Sequence, residues 1–135
     1  MIVGLGIDVV DVGRFEELLA DPLSRMVAAT FTEEEVRYSE DRGLGGPGQH
    51  LAARFAAKEA ALKALDGASA LAGVSPPRVA LREIEVARDE SGRPSLRLHG
   101  AAARLADDVG ADRALLSMSH DGGYATAMVV LERVA

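Results

Sequence analysis

One stretch constrains the fold more than any other: Ala52-Ala53-Arg54-Phe55-Ala56-Ala57-Lys58-Glu59-Ala60-Ala61-Leu62-Lys63-Ala64-Leu65. It is the longest run of strong helix formers in the chain, and no Gly or Pro interrupts it. Alanine loses no side-chain entropy in a helix, and Leu, Lys, Glu and Arg lose little. Leu51, Phe55, Leu62 and Leu65 recur at helical spacing and predict an apolar stripe. The predicted helix runs from about Gln49 to Leu65 or Asp66, where Gly67 would stop it. Its charges are unusual. Arg54, Lys58, Glu59 and Lys63 crowd along the stripe instead of standing opposite it. Two readings are open at this point. The helix is a core helix with snorkelling lysines and a surface pair Glu59–Lys63. Alternatively, a carboxylate and several cations gather at the mouth of an anion site, which requires a second carboxylate from elsewhere.

The first strand offers that carboxylate. Met1 to Asp8 reads as a strand, with Ile2, Val3, Leu5 and Ile7 around Gly4 and Gly6. Glycines inside a strand weaken it and mark close approach of another backbone. Gly4-Leu5-Gly6-Ile7-Asp8 lacks the third glycine of a dinucleotide fingerprint, and no Walker-type loop occurs. Asp8 stands near the end of the apolar run, where a strand can deliver a side chain to a site or simply turn.

The rest of the chain reads as α+β. Asp11 is a candidate N-cap for a helix to about Ala20, and Pro22 opens a short segment that contains Arg25. Thr32-Glu33-Glu34-Glu35 fits a capping box, so these glutamates are assigned no chemistry. Asp41 to Gly48, with four glycines, reads as a mobile loop, and Ala68 to Arg78 as an irregular stretch. Val79 to Arg88 and Ser95 to Leu98 form a predicted hairpin. Gly100 to Val109 is a small helix, and Arg113 to His120 and Tyr124 to Val134 form a second hairpin about Asp121-Gly122-Gly123. The expected architecture is a single domain over residues 1–135: helices, with one long central helix, packed on a small antiparallel sheet.

Composition narrows the function. The chain has 135 residues, 48% of them apolar but only 4% aromatic, so its core is aliphatic. The absence of cysteine excludes disulfides and thiolate metal or redox sites. No membrane-length apolar run and no signal peptide are visible, which makes the cytoplasm the expected location. A net charge of −6 argues against nucleic acid as a partner.

Three segments together carry a resemblance. They are Gly4-Leu5-Gly6-Ile7-Asp8 followed by Arg14-Phe15, Arg54-Phe55-Ala56-Ala57-Lys58-Glu59-Ala60-Ala61-Leu62-Lys63-Ala64, and Ser117-Met118-Ser119-His120. With the Gly92-Arg93-Pro94 turn, they resemble the holo-[acyl-carrier-protein] synthases, members of the phosphopantetheinyl transferases. The likeness spans nearly the whole chain in order. It implies transfer of the phosphopantetheine arm of coenzyme A to a serine of apo acyl carrier protein, with adenosine 3′,5′-bisphosphate released. Asp8 and Glu59 match the family's Mg²⁺ ligands, and Lys63 its lysine near the reacting phosphate. Arg54, Lys58 and His120 match positions at coenzyme A, with the role of Lys58 left open between phosphate contact and orientation of Glu59. Glu59, directly or through a bound water, is the candidate general base. Arg14, and more loosely Arg25, match positions that meet the carrier protein. The family forms homotrimers with sites between subunits, so Asp8 and the helix motif could come from different chains. The alternative is a catalytically inactive coenzyme A-binding or structural trimeric module. A hydrolase triad in Ser119-His120-Asp121 is rejected, because consecutive strand residues point to opposite faces.

Overall fold

The computed structural model describes residues 1–41 and 46–134. The order is β1 (Ile2–Asp11), α1 (Val12–Ala20), α2 (Met26–Thr30), α3 (Glu33–Asp41) and α4 (Gly46–Ala72). After a 3-10 turn at Leu81–Glu83 come β2 (Ile84–Arg88), β3 (Pro94–Leu98), α5 (Gly100–Asp108), β4 (Arg113–Asp121) and β5 (Tyr124–Glu132). Strands β1, β5 and β4 form one antiparallel sheet in that order, and β2 pairs with β3 as a separate hairpin beside β4. The class is the expected α+β.

The long helix α4 is the centre of the molecule. It packs against β1, β5, α3, α1, β2 and β4, and both hydrophobic clusters are built on it. One cluster joins Ala56, Ala60, Ala64 and Leu65 to Ile84, Leu105, Val129 and Leu131. The other joins Leu51 and Ala52 to Phe15 and Phe31, whose rings meet edge to face at 6.2 Å. The predicted one-sided stripe is therefore corrected. Neighbours surround α4, and Ala52, Ala56, Ala57, Ala60, Ala61 and Ala64 are all buried.

Why a helix can lie so close to a strand is answered by Gly4 and Gly6. A Cβ at Gly6 would collide with the carbonyl oxygen of Ala60, and one at Gly4 with that of Ala64. The strand glycines and helix alanines thus remove a whole side-chain layer between two backbones.

The ends of α4 differ from expectation. Gly46 to Gly48, predicted as part of a loop from Asp41, are helical, and residues 42–45 of that loop lie outside the described residues. A Pro at position 47 is compatible with helix because the first turn has no use for its missing N–H. At the other end Gly67 does not stop the helix. It is exposed, and a Cβ added there would meet only open space. The stop is Gly73, at φ +69°, where Val74 N–H donates to Ser69 O at 2.9 Å and Gly73 N–H to Ala70 O at 3.4 Å. This is a Schellman motif. Strand β1 also continues three residues beyond Asp8, and only the second half of Val79–Arg88 is strand.

The caps and turns follow the sequence closely. Asp11 Oδ1 accepts from Arg14 N–H at 3.1 Å and caps α1. Thr32 Oγ1 accepts from Glu35 N–H, while Glu35 Oε1 accepts from Thr32 N–H, completing the capping box. Gly122 and Gly123, at φ +56° and +82°, turn β4 into β5.

Gly6→Ala is expected to destabilise the protein by at least about 2 kcal/mol, since a methyl group would enter the Ala60 carbonyl. Urea unfolding with an unchanged slope reads this. A midpoint equal to the parent's would mean that β1 and α4 separate without penalty.

Candidate active site

Asp8 belongs to the face of β1 that carries Gly4 and Gly6, the face turned to α4. Glu59 immediately precedes Ala60, whose carbonyl touches Gly6. The close packing of strand on helix therefore carries the two carboxylates toward each other. Both line one open groove with Val10, Arg14, Leu18 and Phe55. Lys63, one helical turn after Glu59, reaches across to β1. Its Nζ lies 3.0 Å from Asp8 Oδ1 and 3.0 Å from Ile7 O. A single chain thus brings Asp8, Glu59 and Lys63 together, and neither open reading of the helix is complete. The lysine pairs with the strand carboxylate, not as a surface pair along the helix.

The electrostatics follow from this placement. Burial raises the Glu59 carboxyl above its usual pKa, the Asp8 charge raises it further, and Lys63 offsets part of the rise. Asp8 is held from both sides of its own residue: Lys63 takes the carboxylate, and Thr126 Oγ1 donates to its backbone carbonyl at 3.0 Å.

Lys58 has a different fate from the one expected. Its side chain is 0% exposed, and its ammonium donates to Glu35 Oε1 at 2.7 Å, to Leu81 O at 3.1 Å and to Ile84 O. All three N–H bonds are used inside the protein, so a coenzyme A contact by Lys58 is corrected to a structural role. The other oxygen of Glu35 accepts from Val86 N–H at 3.0 Å. One carboxylate therefore ties α3, α4 and β2. Sequence reasoning read Glu35 purely as a capping residue. The signal available was the pairing of an inward lysine with an acid three residues after a cap.

Arg54 is buried as well. Its guanidinium stacks on Tyr38 at 4.3 Å, donates to His50 O at 3.3 Å and leaves Nε without a partner. Arg88 stacks on the same ring at 4.7 Å. His120 is exposed on β4 and does not line the groove of Asp8 and Glu59. The side-chain amide nitrogen of Gln49, near the start of α4, lies 2.8 Å from His120 Nδ1, a hydrogen bond that orients the ring. Gln49 carried no signal in the sequence. Arg14 stands exposed at the groove, and Arg25 is exposed at the start of α2, away from it.

Among the described residues no three His, Cys, Asp or Glu side chains gather as a metal cluster. Two hard oxygen donors from separate elements nonetheless fit Mg²⁺. That ion is commonly held by one or two carboxylates, with water and phosphate completing its shell.

Known proteins share this arrangement of chain. Residues 4–129 match the family model described as the 4′-phosphopantetheinyl transferase superfamily. The holo-[acyl-carrier-protein] synthase of Geobacter sulfurreducens is 44% identical over 98% of this chain and 99% of its own. That of Clavibacter michiganensis subsp. michiganensis is 46% identical over 98% and 97%. Among solved structures, the Chronobacterium ammoniagenes ACPS–CoA complex aligns with a TM-score of 0.81 at 38% identity, covering 98% of both chains. Mycobacterium tuberculosis acyl carrier protein synthase aligns at 0.74 and 37% identity, covering 99% of this chain and 100% of that one.

Two outcomes are expected from this geometry. Lys58→Met should destabilise by about 3–5 kcal/mol, because Glu35 is left charged and buried, and adding Glu35→Gln should restore part of the loss. Equal losses for the single and double variants in urea unfolding would remove the ion pair from the account. Asp8→Asn should lower the pKa of the Glu59 carboxyl in the metal-free protein, since one cause of its elevation disappears. Carbon-13 titration of that carboxyl measures it, and an unchanged or higher midpoint contradicts the assigned contact.

Proposed function

As the chain belongs to the 4′-phosphopantetheinyl transferase superfamily, we propose that it moves the 4′-phosphopantetheine arm of coenzyme A onto a serine hydroxyl of apo acyl carrier protein. The serine oxygen forms a bond to the pantetheine-bearing phosphorus. The bridging phosphorus–oxygen bond breaks, and adenosine 3′,5′-bisphosphate leaves. The placing of Asp8 and Glu59 on one groove, with Lys63 bonded to Asp8, carries this reading, because phosphoryl transfer needs opposed charges placed around a diphosphate more than it needs a covalent nucleophile.

Asp8 and Glu59 would hold Mg²⁺. Held there, it would supply neutralisation of the pyrophosphate's charge. Lys63 meets the charge that develops on the leaving phosphate oxygen. Glu59, directly or through a bound water, is the candidate acceptor of the serine proton. The coenzyme A phosphates are met by His120, exposed on β4, whereas Arg54, with its Nε buried, braces Tyr38 and the start of α4 instead of touching phosphate.

The carrier protein approaches over α1 and α2. Carrier proteins are acidic and this chain has a net charge of −6, so docking depends on local cations, Arg14 at the groove and Arg25 beyond it. The protein works as a homotrimer of single-domain chains with active sites at the subunit boundaries. Support comes from the sheet face opposite α4, where Leu5, Ile7, Val9, Leu115 and Met128 lie exposed together. No helix among the described residues is long and apolar enough to cross a membrane. A cytoplasmic enzyme supplying holo carrier protein for fatty acid synthesis fits these features.

The test is intact-protein mass spectrometry of apo acyl carrier protein after incubation with coenzyme A and Mg²⁺, beside an EDTA control. The carrier should gain one phosphopantetheine in the metal sample alone, and Glu59→Gln should slow that gain by about a hundredfold or more. Coenzyme A binding without transfer to any of several carrier proteins would leave an inactive binding module.

A further inference from the structure

Before any ligand arrives, Lys63 is already engaged twice. Its ammonium holds Asp8 Oδ1 and Ile7 O, each at 3.0 Å. The two partners differ in freedom. The Asp8 side chain is 18% exposed and anchored on a strand, whereas the Lys63 side chain is 55% exposed on a flexible stem. Asp8, Asp11 and Glu59 are the acids that line the groove; Asp11 caps α1 through Oδ1, and Asp8 is occupied by an internal cation.

We propose that Lys63 is a resident counter-ion of the metal site. It holds Asp8 in the ligand-free protein, weakens divalent-cation binding there, and is released by that binding to face an anionic diphosphate. This inference rests on the reading of Asp8 and Glu59 as the cation's ligands, and adds to it an order and a coupling. A divalent cation on Asp8 would stand within a few ångströms of a like charge, so the ammonium has to leave. Leaving forfeits a charged hydrogen bond and one to a backbone carbonyl, which opposes the cation. A diphosphate that takes up the ammonium removes that opposition. Cation and diphosphate therefore strengthen each other's binding, and by linkage the effect is reciprocal.

The half-exposed position of Lys63 allows a direct test. Lys63→Met keeps the length of the stem and deletes the charge. Binding of Mn²⁺ alone, without any nucleotide, is followed by the electron paramagnetic resonance of the free ion. Lys63→Met is expected to bind Mn²⁺ about three- to tenfold tighter than the parent, the size of a partly exposed ion pair. Asp8→Asn should abolish the binding in both backgrounds. Equal or weaker binding by Lys63→Met, where the parent binds through Asp8, overturns the counter-ion role and leaves the ligand reading intact. Binding that survives Asp8→Asn, or no binding by either protein, overturns the ligand reading and the inference with it. A second measurement needs no variant. The nitrogen-15 signal of the Lys63 ammonium, sheltered by two acceptors, should move toward that of a free lysine as Mg²⁺ saturates the parent. An unmoved signal at saturation contradicts release.

Discussion

Everything in this molecule is set by the distance between β1 and α4. A helix ordinarily rests on a sheet through a layer of side chains. Here Gly4 and Gly6 have none, and the carbonyls of Ala60 and Ala64 occupy that space. The alanines do more than favour helix formation. They are small enough for α4 to be enclosed by strands on one side and by α1, α3 and β2 elsewhere. The next residue on the same face of β1 is Asp8, and the residue before Ala60 is Glu59. The charged site is thus a consequence of the glycine contact, displaced by one step along each backbone.

A second anchor fixes the opposite side of the helix. Lys58 and Glu35 form a fully enclosed pair whose remaining hydrogen-bonding capacity is satisfied by main-chain groups of β2, the preceding turn and the α3 cap. Such a pair is weak evidence of stabilisation, since desolvation opposes its attraction. Its value lies in geometry. Lys58 points inward at one residue and Glu59 outward at the next, so the roll of α4 is decided by which neighbour can receive a buried ammonium.

Much of this was legible in the chain. The glycines of β1 announced a close backbone approach, and Thr32 with Glu35 and Asp121-Gly122-Gly123 announced a cap and a hairpin. Asp8, Glu59 and Lys63 were legible through a family resemblance, because nothing in their spacing says that a strand and a helix fifty residues apart will meet. The helix ends were misread for a physical reason. Gly67 lies on an open surface, where its loss of propensity is small beside the packing of the turns on either side, so the helix passes through it to Gly73. Lys58 was misread because an inward lysine and a phosphate-binding lysine have the same signature until the partner is placed.

The position of the acids on α4 has a consequence for motion. Local opening reactions begin in elements with few buried contacts, and α4 touches most of the molecule. The backbone beneath Glu59 and Lys63 is therefore expected to be among the last to exchange its amide hydrogens with solvent. Acids so placed keep their alignment through thermal fluctuation. The adaptability needed for a large, mobile acceptor must then come from long side chains and from the short helices at the rim, not from the scaffold that carries the chemistry.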